Sequence, residues 1–173
     1  MQDDLADALA WAVREGLADG SRVCILGHSY GGYAALMAPI RHPGVFRCAI
    51  SSFGVTDPTL MYTSWRSDIS VQGKQYVLPD LLGDPKTESA LLDAASPLKR
   101  VAELKLPVLL TFGGEDRRVP REHADRFLSA ARAAKLDVES VPYLEEGHGF
   151  SLPENHADFL RRVEAFLARS LAR

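Results

Sequence analysis

The sequence has no apolar run near the roughly 18 residues that a membrane-spanning helix needs. Its amino terminus is acidic, where an export signal is basic and then apolar. Both absences set the expectation of a cytoplasmic chain with no membrane partner. It also lacks an excess of basic residues: 20 Lys and Arg against 23 Asp and Glu leave a formal net charge of -3. No broad basic surface is available for nucleic acid, so small molecules or peptides are the expected partners. Cysteine is scarce, with Cys24 and Cys48 alone and no C-x-x-C spacing. Each lies in an apolar run and is expected to be a buried free thiol. No metal-ligand cluster, phosphate loop or cofactor motif is present, and there is no internal repeat, so any chemistry is expected to need neither metal nor cofactor.

What is there fits one globular domain, since 173 residues can bury a real core but not two ordinary ones. Asp3 to Leu17 places Leu5, Ala8, Leu9, Ala12 and Val13 on one face of a predicted amphipathic helix. Arg22 to Gly27 is too short an apolar run for a helix and reads as a buried strand, followed by a predicted helix over Tyr33 to Ile40 that stops near Pro43 and Gly44. Cys48 to Ser51, Val108 to Phe112 and Val138 to Pro142 are further strand candidates, with helices over Arg121 to Ala134 and Ala157 to Leu171. Strands alternating with helices imply an α/β fold, a mostly parallel sheet flanked by helices on both faces. One stretch, Gly54 to Lys105, breaks the rhythm and is expected to decorate the rim. Leu91 to Ala95 and Leu98 to Leu104 read as short helices within it, and Tyr62, Trp65 and Tyr76 as core aromatics.

The chemistry enters at Gly27-His28-Ser29-Tyr30-Gly31-Gly32, a G-x-S-x-G nucleophile elbow set between a strand and a helix. A serine at so sharp a turn needs small residues at minus two and plus two, which Gly27 and Gly31 supply. The turn also aims the backbone N–H of Tyr30, at a helix start, towards a developing oxyanion. A hydroxyl is a weak nucleophile, so the elbow requires a base and a group to orient it. His148, between Gly147 and Gly149 after the last strand, is placed to be that base, while His28, His42, His123 and His156 read as structural or exposed. Asp116 follows the strand Val108 to Phe112 and is the candidate orienting acid, with Glu115 beside it as a competitor. The chain order Ser, Asp, His, each past a strand, is that of α/β-hydrolases.

Taken together, these residues resemble the catalytic domain of the prolyl oligopeptidase family, in particular its dipeptidyl and acylaminoacyl peptidase branches. The carriers are Met1-Gln2-Asp3-Asp4, Gly27 to Tyr33, Ser96-Pro97-Leu98, Asp116-Arg117-Arg118-Val119-Pro120 and Gly147-His148-Gly149-Phe150. The resemblance implies a serine peptidase acting on short peptides, selects Asp116 over Glu115, and implies that Arg118 contacts a substrate carbonyl. Phe112 departs from the histidine usual at its position. Family members usually carry an amino-terminal domain and several strands before the elbow, so the chain is expected to match the carboxyl-terminal part of the hydrolase fold, over residues 1–173 with a rim insertion at about 54–105. Its first strand would then be an apolar edge, and a homo-oligomer through that edge is expected. The second oxyanion donor normally lies upstream, which leaves Tyr30 without a partner. Two alternatives stand beside the peptidase: a carboxylesterase or thioesterase using the same triad, and a catalytically silent piece that persists as an assembly module.

Overall fold

The computed structural model describes residues 2–172, so Met1 of the Met-Gln-Asp-Asp stretch lies outside the described residues. Four strands form one parallel sheet in the order β1 (Cys24–His28), β2 (Cys48–Ser52), β3 (Val108–Gly113), β4 (Val138–Tyr143). Parallel neighbours need crossovers, and three long helices supply them or close the chain: α2 (Tyr30–Arg41), α6 (Glu122–Ala133) and α7 (Pro153–Leu171). The two-residue period of the strands splits the core between the sheet's faces. Ala49, Leu110 and Phe112 face Leu36, Met37 and Phe127 of α2 and α6, whereas Cys48, Ile50, Leu109 and Val141 face Phe159 and Phe166 of α7. This is the expected α/β architecture, with β3 buried along its whole length.

Helix α1 (Gln2–Arg14) packs on α2, and its Asp3 accepts from Arg41 at 3.2 Å and bonds His42 at 2.9 Å. Between β2 and β3 lie α3 (Leu60–Thr63), a π-helical turn (Gly73–Val77), α4 (Leu78–Leu82), α5 (Ser89–Ala94) and a 3₁₀ turn (Val101–Glu103). The helix expected over Leu98 to Leu104 reduces to that 3₁₀ turn, and α4 was not foreseen. At the other end of the chain α7 starts four residues earlier than expected, because Pro153 sits at its first turn, where a missing N–H costs nothing.

Two expectations are corrected. Cys24 and Cys48 are not free thiols but are joined in a disulfide. The β1–β2 register sets them directly opposite each other, with Cα atoms 4.7 Å apart, a proximity that their spacing of 24 residues does not reveal. Trp65 and Tyr76 are not core aromatics, being 86% and 65% exposed. Trp65 packs a guanidinium, that of Arg66, over its ring. Tyr62 is half-buried and donates its hydroxyl to the Gly83 carbonyl at 2.7 Å.

Candidate active site

The carboxyl ends of β1, β3 and β4 bring together three loops that carry Ser29, Asp116 and His148. Ser29 follows β1 at φ 57° and ψ −119°, a region costing a non-glycine residue about 1–3 kcal/mol. Its N–H donates to the Ser52 carbonyl at 2.9 Å, and its own carbonyl accepts from Tyr33 at 3.1 Å. The turn is so tight that a Cβ on Gly27 would come within 2.1 Å of the Gly31 carbonyl oxygen. Gly31, by contrast, has open space where its Cβ would be, so the steric demand for a small residue falls on Gly27 alone. That corrects the expectation of a symmetric requirement.

Ser29 Oγ lies 2.8 Å from His148 Nε2, and His148 Nδ1 lies 2.8 Å from Asp116 Oδ2. An ionised carboxylate only accepts, so Nδ1 carries the proton and Nε2 is left to accept from the serine hydroxyl. The other Asp116 oxygen, Oδ1, accepts from the backbone N–H groups of Arg118 at 2.9 Å and Val119 at 2.8 Å. Asp116 is therefore fixed on one side by its own turn and turns its other oxygen to the imidazole, with its side chain 1% exposed. Glu115 is directed elsewhere, 3.8 Å from Arg66. Of the two acids left open by residue order, Asp116 makes the bond to His148.

The His148 ring also sits among aromatics that residue order did not mark. His28 stands 5.3 Å from it and Phe53, buried at φ 50° after β2, meets it edge-on at 6.3 Å. Burial, and then the neighbouring His148, push the pKa of His28 down, which favours its neutral form in this position. Tyr30 opens α2, where first-turn N–H groups have no intrahelical partner, and is half exposed.

Beside Ser29 a cavity of about 240 Å³ is walled by Tyr30, Tyr33, Val55, Met61, Leu78 and Val119. Among the described residues Arg118 is the one charged residue along it. Its guanidinium is held by Asp68, with Nε 3.0 Å from both carboxylate oxygens. Sequence reasoning missed both Asp68 and Leu78, since each comes from the stretch between β2 and β3 and nothing in its neighbourhood signals the site. Among the described residues no three His, Cys, Asp or Glu side chains gather as a metal ion would need, and no helix is long and apolar enough to cross a membrane.

Comparison with known proteins bears on the family and the fold. A family model described as the prolyl oligopeptidase family matches residues 1–173. Dipeptidyl aminopeptidase BIII of Pseudoxanthomonas mexicana is 37% identical over 177 residues, which cover 99% of this chain and 25% of that protein. A putative carboxymethylenebutenolidase of Methylorubrum extorquens is 30% identical over 159 residues, covering 92% of this chain and 43% of the other. Among solved structures, a puromycin-hydrolyzing peptidase of Mycobacterium tuberculosis superposes with a TM-score of 0.88 at 29% identity, over 98% of this chain and 25% of that one. The chain thus spans about a quarter of the length of the peptidases it matches.

Proposed function

Since this chain belongs to the prolyl oligopeptidase family, we propose that it is a serine hydrolase that cleaves short peptides, with Ser29 as nucleophile, His148 as base and Asp116 as the group orienting it. The observation that carries this reading is the unbroken hydrogen-bonded chain from Ser29 Oγ through His148 to Asp116, 2.8 Å at each step. Ser29 Oγ attacks the substrate carbonyl carbon while its proton passes to His148 Nε2. The Tyr30 N–H donates to the oxyanion of the tetrahedral species. His148 then protonates the departing amine nitrogen, the C–N bond breaks, and an acyl-Ser29 ester remains. Water repeats the cycle: it loses a proton to His148, attacks the ester carbonyl, and Ser29 leaves with that proton restored.

The cavity beside Ser29 supports a substrate whose acyl-side residue carries an apolar side chain. Arg118, steadied by Asp68, is placed to hold a backbone carbonyl of the same substrate. An ester reading keeps the same residues and is favoured by the likeness to a carboxymethylenebutenolidase. A homo-oligomer through the outer edge of β1 completes the proposal, since among the described residues β1 has a strand neighbour on one side only. Fluorophosphonate labelling of the folded chain, located by mass spectrometry with Ser29→Ala as control, tests the catalytic part. Modification at Ser29 supports it. A folded sample that stays unlabelled overturns it and leaves the silent assembly module. Matched peptide and ester substrates then separate peptidase from esterase.

A further inference from the structure

His148 rides on a loop that is free to move by its own composition, with glycine on both sides and Gly149 at φ +142°. Something outside the triad must hold that loop, and the candidate is a carboxylate two residues upstream. Glu146 is fully buried. A lone carboxylate in such a place is costly unless its lone pairs are met. Here all are met from the far end of the loop: Oε2 accepts from the Ser151 N–H at 2.8 Å and the Ser151 hydroxyl at 2.5 Å, and Oε1 from the Leu152 N–H and Asn155 Nδ2, each at 3.0 Å. The Ser151 hydroxyl, helped by the Ser151 and Leu152 N–H groups and by Asn155, holds the Glu146 pKa down to about 2 against its burial.

The backbone of the same residue grips the near end. The Glu146 N–H donates to the Tyr143 carbonyl at 3.1 Å, and its carbonyl accepts from the N–H of Glu115, next to Asp116, at 3.0 Å. The two loops touch so closely that a Cβ on Gly113 would lie 2.5 Å from the Glu146 oxygen. One residue therefore joins the end of β4, the Asp116 loop and the start of α7, with His148 strung between the joints.

We propose that Glu146 is a positioning residue for His148: its buried carboxylate closes the 146–151 loop on itself and so sets the reach of Nε2 to Ser29. This rests on the reading of Ser29 and His148 as nucleophile and base. Nothing in the Ser, Asp, His order calls for a second buried acid, so the triad alone does not account for it.

The test uses Glu146→Gln, which keeps the shape and turns an N–H group towards two donors. For folded protein, the fluorophosphonate labelling rate at Ser29 is expected to fall about 10²-fold, the loss typical of a displacement near 1 Å. Binding of a non-covalent substrate analogue should change less than threefold, since the cavity is untouched. In the proton spectrum, the far-downfield resonance of the His148 Nδ1–H bonded to Asp116 is expected to shift or vanish. A purely structural role would lower the melting temperature and leave rate and resonance per folded molecule unchanged, and that result overturns the proposal. If Glu146→Gln does not fold, Ser151→Ala and Asn155→Ala decide, each removing one donor: smaller graded losses of rate support the clamp, and unchanged rates overturn it. Should the parent chain itself resist labelling, the catalytic reading fails, while the resonance and its response to Glu146→Gln still judge the clamp.

Discussion

The two edges of the sheet are built differently. β4 reads Val138-Glu139-Ser140-Val141-Pro142-Tyr143, with buried Val141 and Tyr143 alternating with exposed Ser140 and Pro142. Glu139 binds Arg169 at 2.6 Å, Pro142 offers no N–H, and α7 lies alongside. Charge and proline are how natural edges discourage further pairing. β1 has neither: it reads Cys24-Ile25-Leu26-Gly27-His28, and Leu26 is 52% exposed. Asp116 and His148 thus sit on the finished side of the sheet, with Glu146 bonded between their loops, and Ser29 sits on the other. Among the described residues the strand that carries Ser29 has a single strand neighbour, and the elbow is held by the Gly27–Gly31 contact and the bond from Ser29 to Ser52.

Breaking the finished side should have the largest effect. His148→Gln is expected to lower labelling and turnover about 10⁴–10⁶-fold, and Asp116→Asn about 10⁴-fold, in protein that remains folded. Stopped assays on circular-dichroism-matched samples check this. Adding either to Ser29→Ala should cost nothing more, because the three act as a unit. Losses below tenfold would place the chemistry elsewhere.

On the open side, Gly27→Ala drives a methyl group to 2.1 Å from the Gly31 oxygen and is expected to destabilise by about 3 kcal/mol. Gly31→Ala meets open space and should change stability by no more than about 1 kcal/mol. Urea unfolding of the two variants reads the contrast directly, and equal losses would show that the elbow is not closed by the Gly27–Gly31 contact.

That contrast also marks what the sequence makes legible. The elbow, the strand-helix alternation and the Ser, Asp, His order are local patterns, because periodicity and turn chemistry act over a few residues. Trp65 and Tyr76 were misplaced because a large aromatic normally buries itself, and only tertiary packing decides otherwise. The disulfide and the Asp68 grip on Arg118 depend on register and on where a long insertion folds back, and no local signal encodes either. Glu146 is an intermediate case. An acidic residue beside the histidine is visible, yet burial with four donors depends on how α7 docks.

A pH titration sharpens the finished side further. His123, at the start of α6, is buried, its Nδ1 accepting from the Thr56 N–H at 3.2 Å. Burial pushes its pKa down to about 4, with Asp57, Glu122 and Asp116 opposing. The unfolded chain takes up its proton near 6.5, so this contribution to stability is complete above that pH and declines as pH falls towards 4. The expected loss at pH 4 is about 3 kcal/mol. Glu146 behaves differently: its contribution is present above its ordinary 4.5 and fades only as pH drops through about 2. Urea midpoints between pH 7 and pH 4.5 should therefore slope in the parent chain and flatten in His123→Gln. An unflattened slope would assign the loss to other groups.

The smallest effect expected is at the outer edge of β1. Leu26 is half exposed, and a shallow groove of about 320 Å³ runs beside it past Leu5, Ile25, Tyr30 and Ala34. A lysine here gives β1 the device that β4 already has, a charge that resists a pairing strand. Leu26→Lys should leave stability within about 0.5 kcal/mol, as surface changes do, and weaken self-association about tenfold by light scattering. Glu139→Gln on β4 should leave association unchanged. If the parent chain is monomeric at high concentration, or if Leu26→Lys associates as before, the open edge is not where copies meet. Ser29 labelling separates the remaining cases: a rate that follows the associated fraction means that a neighbouring copy steadies the elbow, whereas a rate independent of concentration means that the Gly27–Gly31 contact and the bond from Ser29 to Ser52 hold it alone.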